Sequence, residues 1–237
     1  SNIQDVLGEA VCKVETYGYL DGADWLIGDY RFESGFGYFS LSYQGEKKAD
    51  FQLAMIGRHN VENAAVVAAL CIGLGLTADE INSAFKSFQG IKRRQEVVGV
   101  KNGVTVLDDF AHHPTAIRLT LEAVKEAYPG QRVWAVFEPR SATSKRKVFE
   151  QDFPDSFLAA DQVVFAGLFA PEKIKEEERL DPERVVTLIR QKGGNANYIA
   201  EVDDIVAFIA ENAESGDVVL VMSSGGFGGI HQKILDQ

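Results

Sequence analysis

Cysteine, positive charge and long apolar runs are all scarce in this 237-residue sequence. Its two cysteines, Cys12 and Cys71, exclude a disulfide framework and predict the reduced thiols of a cytoplasmic protein. No apolar run approaches the ~20 residues needed to cross a bilayer, and the basic-then-apolar pattern of a secretory signal is missing. Lysines and arginines number 24 against 35 aspartates and glutamates, a formal net charge of −11. This balance argues against binding to nucleic acid or to an anionic membrane.

The composition is otherwise typical of a globular protein, with 46% hydrophobic and 25% charged residues. The chain is long enough to form one large domain or two modest ones. Ser1 and Asn2 are either native residues or the remnant of a cleaved tag, and in the second case the chain is a fragment. The hydrophobic pattern of the sequence changes near residues 90–92. This change predicts two domains, residues 1–90 and residues 91–237.

The first segment combines strands with helices. From Val11 to Leu53, β-rich runs broken by turn residues predict a meander of short antiparallel strands. The Ala- and Val-rich stretch from Asn60 to Leu74 predicts a helix. Thr77 followed by Glu80 resembles a capping box, which predicts the start of a second helix.

In the second segment, short apolar runs alternate with amphipathic helical patterns. The runs predicted to be buried strands are Val104–Leu107, Val133–Phe137, Val163–Ala166 and Val218–Met222. This alternation predicts an α/β fold with a Rossmann-like, mostly parallel sheet covered on both faces. Ligands of such sheets bind at the carboxyl ends of the strands, so the residues there are the candidates for a site.

One such strand end carries two carboxylates and two imidazoles in the segment 108–114, which reads DDFAHHP. Asp109 is suited to ribose hydroxyls, and His112 or His113, beside a helix that starts at Pro114, is suited to a phosphoryl oxygen. The alternative is that Asp109 and His113 only satisfy the turn and its free N–H groups. Adjacent histidines rarely converge on one metal, so no metal site is predicted here.

Two carboxamides, Asn60 and Asn63, lie three residues apart at the start of the first predicted helix. An amide both donates and accepts, as pairing with an adenine edge requires, but Asn60 is equally suited to be an N-cap. The Gly-rich turn 223–229 presents either N–H groups to an anion or a close approach of helix and strand. The sequence contains no GxxxxGK[ST] phosphate loop.

Basic residues interrupt the acidic chain at 92–94 and at 140–147. An arginine can hold a phosphate or a carboxylate at two points. We interpret the run Lys145–Lys147 as a solvated surface, whereas Arg140 follows a strand end and a proline and is a candidate anion-binding residue.

Taken in order, these motifs resemble the Mur ligase family, the ATP-dependent ligases of peptidoglycan synthesis. The resemblance rests on the HNxxN helix (His59, Asn60, Asn63), the basic junction (Arg93, Arg94), DDFAHHP, FEPRS and VMSSGGFGGIHQKIL, and it spans nearly the whole chain. It implies that residues 1–90 end a central ATPase domain and that residues 91–237 are the complete C-terminal domain. The UDP-binding domain, the phosphate loop and most ligands of Mg²⁺ are not in this sequence, so this chain alone is predicted to be inactive.

The resemblance also implies an activity. FEPRS and the Gly-rich segment are most similar to members that join L-Ala-γ-D-Glu-meso-diaminopimelate to UDP-N-acetylmuramate through an acyl phosphate, in cytoplasmic peptidoglycan recycling. The alternatives are a ligase that adds L-alanine to UDP-N-acetylmuramate, and a noncatalytic nucleotide- or peptide-binding module. No obligate protein partner is inferred.

By motif position, the resemblance assigns a role to each candidate residue. Asn60 and Asn63 would hold adenine, Asp109 the ribose of ATP and Arg94 its phosphates. His112 would lie near the reacting phosphate or the incoming amine. The residues assigned to the acceptor peptide are Arg140, Ser141, Ser223 and Ser224.

Overall fold

A computed structural model describes residues 4–237, so Ser1 and Asn2 lie outside the described residues. The chain forms two compact units, Ser1–Gln89 and Gly90–Gln237. In the part of the chain that the structure describes, no helix is long and apolar enough to span a membrane.

The first unit is built on a four-stranded sheet. Its strands, in pairing order, are β1 (Tyr17–Gly18), β2 (Trp25–Glu33), β3 (Phe36–Tyr43) and β4 (Glu46–Leu53). The antiparallel pairing of β2, β3 and β4 confirms the predicted meander. In contrast, β1 is parallel to β2. The Asp24 carboxylate accepts hydrogen bonds from the N–H and the hydroxyl of Thr16, at 2.7 and 2.8 Å, which closes the intervening loop in this arrangement.

Two helices follow the sheet, α1 (Arg58–Gly73) and α2 (Ala78–Ser87). The predicted capping box is confirmed at α2. The Thr77 hydroxyl accepts from the Glu80 N–H at 3.3 Å, and the Glu80 carboxylate accepts from the Thr77 N–H at 2.8 Å. At α1 the N-cap is Gly57 rather than Asn60, so the capping interpretation of Asn60 is wrong.

The second unit contains a six-stranded sheet with the order β5-β6-β10-β7-β8-β9. The strands are β5 (Glu96–Lys101), β6 (Val104–Asp109), β7 (Val133–Phe137), β8 (Gln162–Phe165), β9 (Ala196–Tyr198) and β10 (Val218–Met222). Only the edge strand β5 pairs antiparallel. The predicted mostly parallel sheet is therefore confirmed.

Helices cover this sheet as the alternating pattern predicts. They are α3 (Pro114–Ala127), α4 (Phe153–Ser156), α5 (Pro182–Gln191), α6 (Val202–Asn212) and α7 (Ile230–Leu235). One core cluster joins Val136 and Val221 of the sheet to Ile205 of α6 and Ile230 of α7. A separate aromatic cluster joins Phe137 and Phe165 of the sheet to Phe153 and Phe157, with ring centroids between 5.1 and 6.3 Å apart. Full burial of each phenylalanine side chain contributes about 1.5–3 kcal/mol.

Candidate functional site

Three polar segments meet at the carboxyl edge of the second sheet, because β6, β10 and β7 are neighbours and run parallel. Two backbone hydrogen bonds continue the pairing beyond the strands. The Ser223 N–H donates to the Asp109 carbonyl over 3.1 Å, and the Glu138 N–H donates to the Met222 carbonyl over 3.0 Å. The structure thus brings together the segments that begin at Asp108, Glu138 and Ser223, which are far apart in the sequence.

Asp109 lies at this edge with 2% of its surface exposed. Its Oδ1 accepts from the Ala111 N–H at 2.7 Å, and its Oδ2 accepts from the Gln95 N–H at 2.9 Å. Burial raises the pKa of the Asp109 carboxyl above its ordinary value, although these two backbone hydrogen bonds act in the opposite direction. Asp109 therefore holds the turn together, as the structural alternative expected. An ionised carboxylate offers about four acceptor positions, so further donors can still bind to it.

The two histidines of the turn have different environments. His112 Nδ1 lies 2.8 Å from the Phe110 carbonyl, and because a carbonyl can only accept, Nδ1 carries the proton. In neutral His112 the remaining nitrogen, Nε2, is then an acceptor. His113 is the N-cap of α3, and its Nδ1 accepts from the Thr115 N–H at 3.3 Å. The capping role considered for His113 is thus observed, which leaves His112 as the better candidate for chemistry.

Arg93, which the sequence analysis did not select as a site residue, holds the Gly-rich loop after β10. Its Nη2 donates to the carbonyls of Ser223 and Gly225 at 2.6 and 2.7 Å, and its Nε donates to Asp108 Oδ2 at 3.3 Å. The other carboxylate oxygen of Asp108 lies 3.3 Å from Nε2 of His231 in α7. Sequence reasoning could not separate Arg93 from its neighbour, because both belong to one basic run.

Arg94 is exposed, whereas Arg93 is half-buried. Both guanidinium groups lie over the Phe110 ring, at 5.2 Å for Arg93 and 5.3 Å for Arg94 from the centroid. The backbone of Arg93 is left-handed, with φ 61°. Of the two, Arg94 is the cation that can reach an anion in solvent.

Arg140 is held between a ring and a backbone. Its Cζ lies 3.5 Å from the centroid of the Phe169 ring. A Cβ at Gly225 would fall 1.9 Å from Arg140 Nε, so only glycine leaves room for this side chain. Arg140 Nη1 is 3.6 Å from Glu138 Oε1, and Glu138 Oε2 accepts from the Ser223 hydroxyl at 2.5 Å. The ring, the Gly225 backbone and Glu138 therefore restrict the positions open to the guanidinium group before any ligand binds.

The candidate serines mostly serve the structure. The Ser141 hydroxyl donates to Ser144 Oγ at 2.8 Å and accepts from the Ser144 N–H at 3.0 Å. Ser223 has 1% of its surface exposed, and besides donating to Glu138 its hydroxyl accepts from the Gly225 N–H at 3.0 Å. Ser224 is half-buried in the Gly-rich loop. Of the three, only Ser224 has a hydroxyl that forms no hydrogen bond within residues 4–237.

The interpretation of Lys145–Lys147 as a solvated surface is wrong for Lys145. This residue has only 7% of its surface exposed, whereas Lys147 is exposed. The backbone of Lys145 is fixed by hydrogen bonds from its N–H to the Ser141 carbonyl at 3.3 Å and from the Leu180 N–H to its carbonyl at 2.9 Å. This tertiary contact with residue 180 buries a lysine that the local sequence marks as polar surface.

Asn60 and Asn63 belong to the first unit. Asn60 lies in the first turn of α1, where its Nδ2 donates to the Ile56 carbonyl at 2.8 Å. Asn63 is exposed one turn later. Among the described residues, no group of three or more His, Cys, Asp and Glu side chains is arranged to hold a metal ion.

Comparison with known proteins links this architecture to one family. Residues 93–225, more than half of the chain, match the family described as "Mur ligase, glutamate ligase domain". The UDP-N-acetylmuramate–L-alanine ligase of Caldanaerobacter subterraneus subsp. tengcongensis is 35% identical over 100% of this chain and 51% of its own length. The chain therefore spans about half the length of the curated relatives that it matches.

Solved structures agree with this fold. A murein peptide ligase from Psychrobacter arcticus is 31% identical, with a TM-score of 0.68 over 99% of this chain and 48% of its own. A UDP-N-acetylmuramate–alanine ligase from Thermotoga maritima has a TM-score of 0.78 at 20% identity, over 94% of this chain and 47% of its own, and shows the fold alone. With its six-stranded sheet, its DDFAHHP turn and this match, the chain belongs to the Mur ligase family.

Proposed function

We propose that this chain is part of an ATP-dependent ligase that joins L-Ala-γ-D-Glu-meso-diaminopimelate to UDP-N-acetylmuramate through an acyl phosphate. The observation that carries this proposal is the fixed position of Arg140, between the Phe169 ring and the backbone of Gly225. A preorganised guanidinium group binds a planar carboxylate at two points and loses little conformational entropy in doing so. The tripeptide carries several carboxylates, which makes it a suitable acceptor for this edge of the sheet.

ATP with Mg²⁺ supplies the phosphoryl group that activates the carboxylate of UDP-N-acetylmuramate. In this reaction, catalysis depends mainly on positioning and on neutralisation of charge. Arg94 is exposed and is proposed to bind phosphate, while Asp109 is proposed to accept ribose hydroxyls with its remaining acceptor positions. Asn60 and Asn63 are proposed to bind adenine.

His112 is proposed to act on the incoming amine. Its Nδ1 proton is committed to the Phe110 carbonyl, so neutral His112 has an acceptor at Nε2. An acceptor of this kind can take a proton from the ammonium group of the peptide, which leaves the neutral amine that attacks the acyl phosphate. The residue lies at the same edge of the sheet as Arg140, on a segment that follows β6.

A ligase that adds L-alanine to UDP-N-acetylmuramate is the second candidate, and sequence identity favours it. Two curated relatives with that name are 35% and 33% identical to this chain, over 100% and 92% of its residues. The segment Glu138–Ser141 and the fixed arginine favour the peptide acceptor instead.

The choice between these acceptors is tested with the full-length parent protein. ADP release is measured with ATP, magnesium and UDP-N-acetylmuramate, and either the tripeptide or L-alanine is added. We expect turnover that depends on the tripeptide. Turnover that depends on L-alanine alone would assign the protein to the second candidate, and no turnover with either would favour a noncatalytic binding module.

A further inference from the structure

Lys145 is a lysine whose side chain is mostly buried and has no ionic partner among the described residues. Only 7% of its surface is exposed, yet within residues 4–237 its Nζ forms neither an ion pair nor a hydrogen bond. The chain has a large excess of carboxylates, so ion-pair partners are plentiful elsewhere on its surface. The apolar stem of Lys145 is buried, whereas its ammonium group keeps contact with solvent. The ammonium group is therefore open to a ligand that arrives from solvent.

The Nζ of Lys145 lies against the same ring as Arg140. It is 5.9 Å from the centroid of Phe169, and the Arg140 Cζ is 3.5 Å from that centroid. An aromatic face attracts cations, so Phe169 holds both positive groups at one place. The two cations come from one segment after β7, and the ring comes from the loop after β8.

The two buried carboxylates on these segments, Glu138 and Glu150, have partners other than Lys145. Glu138 is buried and accepts from the Ser223 hydroxyl, and its other oxygen lies 3.6 Å from Arg140. Glu150, which is also buried, lies 3.1 Å from Arg184. Within residues 4–237, Arg140 thus has one carboxylate partner, Glu138, and Lys145 has none.

We propose that Lys145 and Arg140 together form a two-cation site on Phe169 that binds two carboxylates of one acceptor peptide, with Lys145 as the residue that recognises the second carboxylate. This inference rests on the proposed function and extends it, because it names the feature that distinguishes a peptide acceptor from L-alanine. L-Alanine has one carboxylate, which Arg140 alone can bind. A peptide with further carboxylates also compensates the charge of Lys145.

The test uses Lys145→Met in the full-length parent enzyme, because methionine keeps the length and the apolar stem of the side chain. We expect the KM for the tripeptide to rise roughly 10- to 100-fold, as for loss of one charge-assisted contact, with the KM for ATP unchanged. Lys147→Met is the matched control, since Lys147 is exposed two residues away, and it should leave both KM values unchanged. Lys145→Arg keeps the charge and should restore most of the affinity.

Three tripeptides, each with a different carboxylate converted to an amide, identify the contact. For one of them, Lys145→Met should cause no further rise in KM, because the group that Lys145 binds is already neutral. An equal rise for all three amides, or equal effects of Lys145→Met and Lys147→Met, would overturn the assignment. If the wild-type enzyme does not use the tripeptide, the proposed function fails before any variant is tested, and the two-carboxylate site fails with it.

Discussion

At Gly225, the backbone itself forms one wall of the space that the Arg140 side chain occupies. An added Cβ would lie 1.9 Å from Nε and 2.2 Å from Cδ of Arg140, which is far inside van der Waals contact. On the other side, the Phe169 ring prevents the guanidinium group from moving away without loss of its stacking contact. The position of the proposed acceptor-binding arginine is thus set by a residue with no side chain.

We predict that Gly225→Ala has the same effect on acceptor binding as Arg140→Ala. In the full-length parent, each change should raise the KM for the acceptor by a factor that corresponds to about 1.5–3 kcal/mol, the value of a hydrogen bond to a charged group. Gly226→Ala is the control, because a Cβ there meets nothing within 4 Å. Acceptor kinetics of Gly225→Ala that match those of Gly226→Ala would contradict this geometry.

The hydrogen bonds of Asp109 predict that its loss lowers the stability of the fold. Asp109→Ala removes the acceptor for the N–H groups of Gln95 and Ala111. We expect the free energy of unfolding to fall by about 2 kcal/mol, since backbone donors lose their partners. Urea unfolding of this chain measures the change.

The control for Asp109→Ala is Asp152→Ala, because Asp152 is exposed and its side chain makes no capping hydrogen bond. The KM for ATP of the full-length variant provides a separate readout. A raised KM for ATP at a temperature where the variant is fully folded supports the ribose contact. Unchanged stability would refute the role of Asp109 in the turn.

Helix α2 has both halves of a capping box at its N-terminus. Its N-cap Thr77 and Glu80 satisfy each other's backbone N–H groups, and the helix then buries Ile81 and Phe85 in the core of the first unit. Local sequence is sufficient to predict this element, because the interacting groups are three residues apart.

Thr77→Ala should lower the free energy of unfolding by about 1 kcal/mol, the usual value of a lost N-cap. Ser83→Ala is the matched control, because Ser83 is exposed inside the same helix, where alanine is the better helix former. Thermal unfolding followed by circular dichroism compares the two variants. An equal loss of stability in both would show that the capping box contributes nothing measurable.

In the whole molecule, the two edges of the second sheet differ in how completely their charged side chains are paired. The amino edge is fixed by Asp217, which accepts from Arg132 Nη2 at 2.6 Å and from Trp134 Nε1 at 2.9 Å. These bonds join the starts of β7 and β10, which are adjacent strands. The carboxyl edge instead carries Arg140 and Lys145 with incomplete ionic pairing, as expected for a binding edge rather than a stabilising one.

The lowered pKa of Asp217 makes the stability of the chain depend on pH. Burial acts to raise the pKa of Asp217, but hydrogen bonds from Arg132, the Glu214 N–H and Trp134 outweigh it, so the pKa lies below its ordinary value. A carboxyl whose pKa is lower in the folded state stabilises the fold above its unfolded pKa of about 3.9. This contribution is lost as the pH falls through the lower folded pKa.

We therefore expect Asp217→Asn to lower the free energy of unfolding by about 2 kcal/mol at pH 7, as for lost hydrogen bonds to a charged group whose arginine partner is partly exposed to solvent. The difference from wild type should begin to shrink below about pH 4, where the carboxyl becomes protonated in the unfolded state, and should disappear below the lower pKa of the folded state. Urea unfolding at pH 7 and at successively lower pH values measures both. Asp155→Asn, at an exposed ion pair with Lys192, serves as the control. A difference for Asp217→Asn that does not change with pH would contradict this account.

Much of the architecture could be predicted because its signals are local. The bounds of β7 and β10 match their apolar runs, and the predicted capping box and the start of α3 at Pro114 are observed. The parallel pairing of β1 could not be predicted, because it depends on the side chain of Asp24 closing a loop. The N-cap of α1 was also missed, since Gly57 carries no capping side chain.

The alternation of strands and helices, the parallel sheet and the carboxyl edge as the place of a site all follow from local sequence, because hydrophobic periodicity encodes which faces are buried. Which candidate residues support the fold and which remain open to a ligand depends instead on the tertiary structure. It selected Arg93 to hold the Gly-rich loop and committed Ser223 to Glu138. It also buried Lys145 beside Phe169 and Arg140. These contacts join residues far apart in the chain, and a local pattern carries no information about which distant backbone or ring a side chain will meet.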